Sequence, residues 1–119
     1  MPNGILVIDK PADWTSQDVA AKLRGLLHER RIGHGGMLDP MATGVLPIFA
    51  GKATRAVPFV VEGEKEYRAL LRLGTVTDTQ DTTGTVLETN RVHVTPAELE
   101  AVLTRFRGTS SSCRPCTPP

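Results

Sequence analysis

The chain has 119 residues, room for one modest core, and with 39% hydrophobic and 23% charged residues its composition is that of a soluble globular protein, not a disordered one. Fourteen Lys and Arg against thirteen Asp and Glu leave a formal charge of +1, so no global positive field marks a nucleic-acid binder and any such role rests on local patches. The longest apolar runs, Gly4 to Ile8 and Val45 to Ala50, fall far short of the roughly 18 to 20 residues of a membrane span, and the start Met-Pro-Asn-Gly lacks the marks of a secretory signal, which points to the cytoplasm.

In chain order, Gly4 to Ile8 is a short apolar run closed by Asp9-Lys-Pro11, the pattern of a buried strand ending at a proline. Thr15 to Asp18 supplies a cap for a helix whose apolar positions Val19, Leu23, Leu26 and Leu27 recur at helical spacing. From His28 to Gly44 the periodicity breaks around Gly33, Gly35 and Gly36, which predicts a structured loop without helix or strand. Val45 to Ala50 predicts a second strand, and Lys52 to Ala56 a short helix disturbed by Pro58.

Glu66 to Leu73 has strand character, Gly74 to Thr83 is a polar exposed loop, and Thr85 to Thr89 is the expected partner strand. Thr95-Pro-Ala-Glu98 combines an N-cap, a proline in the first turn and a glutamate three residues after the cap, ahead of Leu99, Val102, Leu103 and Phe106. After Phe106 no aliphatic residue follows, and composition predicts a disordered tail over 109–119. Its Cys113 and Cys116 form a lone C-x-x-C, half of a zinc site or a redox pair without the helix that such a pair opens.

The segment from His34 to Gly44 carries the most chemical information. Asp39 precedes Pro40, which disfavours the α region for it and displays its carboxylate from an extended backbone. A displayed carboxylate serves as nucleophile, base or electrostatic stabiliser, whereas an ordinary turn aspartate only bonds nearby amides. Around it, Asp9-Lys-Pro11, Thr15-Ser16, Asp18-Val19, Gly33-His34, Leu38-Asp-Pro40 and Ala42-Thr-Gly-Val-Leu-Pro47 stand in an order and spacing that closely resembles the bacterial tRNA pseudouridine-55 synthase (TruB) family. Ala53-Thr54, Lys65-Glu-Tyr67, Arg72-Leu-Gly74 and Thr77-Asp-Thr79 continue the resemblance, which runs from about Gly4 to Gly108.

The resemblance implies a cofactor-free and metal-free isomerase that breaks the N-glycosidic bond of uridine 55 in the T-arm of tRNA, turns the uracil and rejoins it through carbon 5. Asp39 matches the family's catalytic aspartate, and cleavage of a glycosidic bond builds cationic character that a carboxylate can trap or stabilise. Tyr67 matches the active-site tyrosine that would stack on the flipped base, with core packing as its plain alternative. His34 matches the histidine thought to hold the flipped RNA. Lys52, Arg55, Arg30 and Arg31 are candidates for phosphate contacts or simply solvated surface charges. Met37 stands where the family most often has threonine, and Gln17 and Pro58 also depart from its pattern.

The fold implied is an α/β mixture with a mainly antiparallel sheet and flanking helices, incomplete within residues 1–108. The family pattern after Phe106-Arg-Gly108 is absent, but codons for Thr109 to Pro119, read one base earlier or two later, permit it: Ile, Gln, then Pro-Pro-Met-Tyr-Ser-Ala. A frame change near Gly108 is therefore expected, with both cysteines its products. The resemblance places beyond that point an arginine that pairs with the catalytic aspartate. Three functions follow: a monomeric T-arm tRNA isomerase using Asp39, an inactive RNA-binding fragment of one, or a small zinc or redox protein using Cys113 and Cys116.

Overall fold

A computed structural model describes residues 2–110. The chain forms two compact units that part between Tyr67 and Arg68. The first unit opens with strand β1, Gly4–Lys10, in which Leu6 and Ile8 turn inward while Ile5 and Val7 stay exposed, the period-2 signature of a strand covered on one face. Pro11 has no amide hydrogen to continue the ladder.

Helix α1, Ser16–Leu27, begins with a reciprocal box: Thr15 Oγ1 accepts from the Asp18 amide at 3.0 Å and the Asp18 carboxylate accepts from the Thr15 amide at 2.9 Å. It ends at His28, whose left-handed backbone (φ 50°) turns the chain away. Val19 and Ala20 are buried from this helix, with Leu23 and Leu27 packed beside them, but Leu26, expected on the same stripe, is exposed.

Strands β2, Ile32–His34, and β3, Gly44–Ala50, complete an antiparallel sheet of order β1-β3-β2. Ile32, Leu46, Ile48 and Ala50 pack against α1 to make the core. The presence of β2 corrects the expectation of a structured loop throughout 28–44. Gly33 is paired with Phe49, and a Cβ on it would meet Val57 Cγ2 at 3.3 Å, so here glycine serves close packing within a strand. Arg24 Nη2 donates to the Ile32 carbonyl at 3.1 Å and ties the helix to this strand.

A 3-10 turn over Gly51–Ala56 leads directly into α2, Val57–Val61. The short helix expected over Lys52 to Ala56 is this 3-10 turn, and Pro58 lies beyond it in the first turn of α2, where its missing N–H would have had no helical acceptor.

The segment 64–73 contains no regular element, which corrects the strand expected over Glu66–Leu73. It is exposed along its length, and no described strand lies beside it to supply ladder bonds. In the second unit β5, Val86–Thr89, pairs instead with β4, Thr75–Thr77, inside the region expected to be loop throughout. The connection is closed by Asp81, whose Oδ1 accepts from Thr79 Oγ1 and from the Thr83 amide and hydroxyl. Helix α3, Pro96–Leu103, starts at the expected Thr95–Glu98 box and runs into a 3-10 turn over Thr104–Phe106. Thr109 and Ser110 are exposed; the rest of the expected tail, including Cys113 and Cys116, lies outside the described residues.

Candidate active site

The loop between β2 and β3 presents Asp39, and its backbone is fastened from three directions. Lys10 follows Leu6 and Ile8 on the inward parity of β1, so its side chain enters the protein at the end of the core and is fully buried. Its ammonium donates to the carbonyls of Pro11 (2.8 Å), Trp14 (2.5 Å) and Pro40 (3.1 Å). Three donors meet three acceptors, the condition under which a buried ammonium is tolerated. The Pro40 carbonyl also accepts from the Asp13 amide at 2.7 Å, and Asp13 takes the left-handed conformation (φ 64°) within that turn.

The second fastening comes from α1. Buried Ser16, its first residue, turns its Oγ to accept from the Leu38 amide at 2.9 Å. Leu38 packs against the core, Asp39 next to it is exposed, and the Asp39 carbonyl accepts from the Ala42 amide at 3.0 Å. Leu38 in, Asp39 out and Pro40 clamped is therefore an arrangement set by long-range bonds as well as by the proline. Among the described residues Asp39 has no ion-pair partner. Asp39 is exposed to solvent.

The third fastening lies at the start of the loop. The Gly35 amide donates to the Pro47 carbonyl at 2.8 Å, and a Cβ on Gly35 would stand 3.0 Å from Phe49 Cε2 and from Val60 Cγ1. Half-buried His34, the last residue of β2, donates through Nδ1 to the Gly36 carbonyl at 2.7 Å. That bond leaves Nε2 as the ring atom able to address another molecule.

Tyr67 is 58% exposed and follows Lys65, which lies against Gly36, by two residues; its Cα is thus within roughly 7 Å of that of Lys65. The ring is not part of the core of its unit. Arg30, Arg31, Lys52 and Arg55 are all exposed. The Gly51 amide donates to the Arg31 carbonyl at 2.8 Å, which joins Arg31 to the turn carrying Lys52 and Arg55. Ile32 pairs with Ala50 whereas Lys10 pairs with Gly44, so this cluster begins at the sheet end opposite Gly44, about 20 Å of strand from it. The structure thus groups His34 with the Asp39 loop and sets the Arg31–Lys52 backbone apart from it. Among the described residues no group of three or more His, Cys, Asp and Glu is placed to hold a metal.

Sequence reasoning assigned no role to Lys10 or Ser16. The signal for Lys10 was its parity, inward by the alternation of β1; Ser16 had no equivalent sign because its partner Leu38 is 22 residues away. The adjoining Asp18 carboxyl is held below its ordinary range, first by the Thr15 hydroxyl and then by the Thr15 amide.

Comparison with known proteins places these features in context. The family model described as TruB family pseudouridylate synthase (N terminal domain) matches residues 24–117. The tRNA pseudouridine synthase B of Geotalea uraniireducens is 47% identical over 114 residues, covering 95% of this chain and 37% of its own. Those of Gluconacetobacter diazotrophicus (49% identical; 89% and 35% covered) and Synechococcus elongatus (52%; 88% and 36%) are similar. A solved structure described as a Cbf5-Nop10-Gar1 complex aligns over 46% of this chain and 17% of that one, with 45% identity and a TM-score of 0.45. The chain spans about a third of the length of the curated relatives that it matches.

Proposed function

The chain belongs to the TruB family of pseudouridylate synthases, and from that premise we propose that it carries the catalytic carboxylate of a cytoplasmic, monomeric enzyme that isomerises uridine 55 in the T-arm of tRNA. The observation that supports this most directly is the exposed Asp39 on a loop clamped by Lys10, Asp13 and Ser16. A reacting group held by buried polar bonds keeps its position while remaining accessible.

In the proposed reaction the bond from ribose carbon 1′ to uracil N1 breaks, the freed uracil turns, and carbon 1′ bonds to carbon 5. The proton leaving carbon 5 is balanced by one gained at N1, so no atom is lost and no cofactor takes part. Asp39 acts either as the nucleophile that holds carbon 1′ or as the base that removes a proton. The Tyr67 ring stacks on the extruded base, His34 Nε2 addresses the opened RNA, and Arg30, Arg31, Lys52 and Arg55 contact phosphates away from the reacting nucleotide.

The alternative is an RNA-binding fragment without catalysis. One experiment separates the two. Unmodified tRNA is incubated with the purified chain, and its nucleosides are resolved by chromatography with mass detection. Pseudouridine that appears with the wild type, is absent when the tRNA carries cytidine at position 55, and disappears in Asp39→Asn with RNA binding retained supports the enzyme. Binding with no pseudouridine in the wild type supports the fragment.

A further inference from the structure

Two lysines lie against the Asp39 loop, and they differ in one respect that matters. Lys10 is buried and all three of its donors are occupied by carbonyls. Lys65 is exposed and makes no hydrogen bond or ion pair among the described residues. Its side chain nevertheless runs across Gly36: a Cβ built there would meet both Cε and Nζ of Lys65 at 3.1 Å, closer than ordinary van der Waals contact. The end of Lys65 therefore lies directly over Gly36, at the start of the loop that carries Asp39.

From this juxtaposition we propose that Lys65 is a substrate-positioning residue whose ammonium binds an RNA phosphate adjoining the nucleotide presented to Asp39. The proposal rests on the RNA-substrate reading above and extends it. Asp39 follows Gly36 by three residues, so their Cα atoms are within roughly 11 Å. A ribose brought to Asp39 carries a phosphate on either side, and these anions need a cation near an exposed carboxylate that would otherwise repel them. The Arg31–Lys52 cluster begins about 20 Å of strand away. Lys65 supplies the unoccupied ammonium beside the loop.

The test measures binding of a synthetic T-arm stem-loop RNA to the full chain by fluorescence anisotropy, from about 50 to 200 mM salt. Each lost phosphate contact lowers the log–log salt slope by roughly 0.7 to 0.9. Lys65→Gln is expected to lower it by that amount and to weaken low-salt binding several-fold, whereas Lys65→Arg retains the slope. Lys22→Gln, an exposed lysine on α1, serves as the control with unchanged slope. A wild-type slope in Lys65→Gln overturns the assignment while leaving RNA binding intact. Absence of RNA binding by the wild type overturns the RNA-substrate reading itself, and the assignment with it.

Discussion

At the scale of single residues, the Asp39 loop is held by a buried cation. Lys10 joins the β1–α1 connection, through Pro11 and Trp14, to Pro40 beside Asp39. Replacing it with methionine keeps much of the volume but strips three buried-side carbonyls of a charged donor. Hydrogen bonds to charged groups contribute roughly 1.5 to 3 kcal/mol each, partly offset by the burial cost of the ammonium. Lys10→Met is therefore expected to destabilise the first unit by about 2 to 4 kcal/mol in chemical denaturation and to loosen the Asp39 loop. An unchanged midpoint would show that the three carbonyls find water instead. Asp39 itself differs in kind: it is exposed and unpaired among the described residues, so Asp39→Asn is expected to change the melting temperature little and, under the proposed function, to abolish isomerisation.

At the scale of elements, both longer helices begin with the same device. Thr15 with Asp18 and Thr95 with Glu98 exchange side-chain and backbone bonds, and each carboxyl is held below its ordinary range by its capping threonine. A folded-state pKa below the unfolded one stabilises the fold above the unfolded value, and the contribution is lost as pH falls through the folded value. The melting temperature is accordingly expected to drop on acidification below about pH 4, and Asp18→Ala to reduce that dependence. The two curves should converge at the lowest pH; a parallel offset at every pH would place the effect elsewhere. These caps were legible because each lies within four consecutive residues and needs no distant partner. The expected strand over Glu66–Leu73 was not borne out, because strand character in a sequence says nothing about whether another strand is adjacent.

At the scale of the whole molecule, burial is unequal. Seven hydrophobic residues among those described are buried, and all belong to α1, β2 or β3 of the first unit. No described residue of the second unit is buried, and Val102, Leu103 and Phe106 of its expected helical stripe remain exposed. Local opening is easiest where few apolar contacts must be broken. Hydrogen exchange is thus expected to protect amides of α1, β1 and β3 strongly and those of β4, β5 and α3 weakly. Equal protection in the two units, read by mass spectrometry of peptic fragments, would show that the second unit gains cover not visible in its own burial.

The sequence by itself determined where β1, α1, β3 and α3 begin, that Asp39 precedes a proline outside helix and strand, and which family the ordered motifs resemble. Each of these rests on nearest neighbours: a restricted φ, a four-residue cap, an alternation, a short string. Only the tertiary structure decided that Gly33 is a strand residue, that Lys10 faces inward onto Pro40, that Ser16 holds Leu38, and that Lys65 rather than the Arg31–Lys52 cluster lies against the loop. Those outcomes depend on partners far along the chain. A hydrogen bond or a close packing contact exists only once folding has brought both of its ends together.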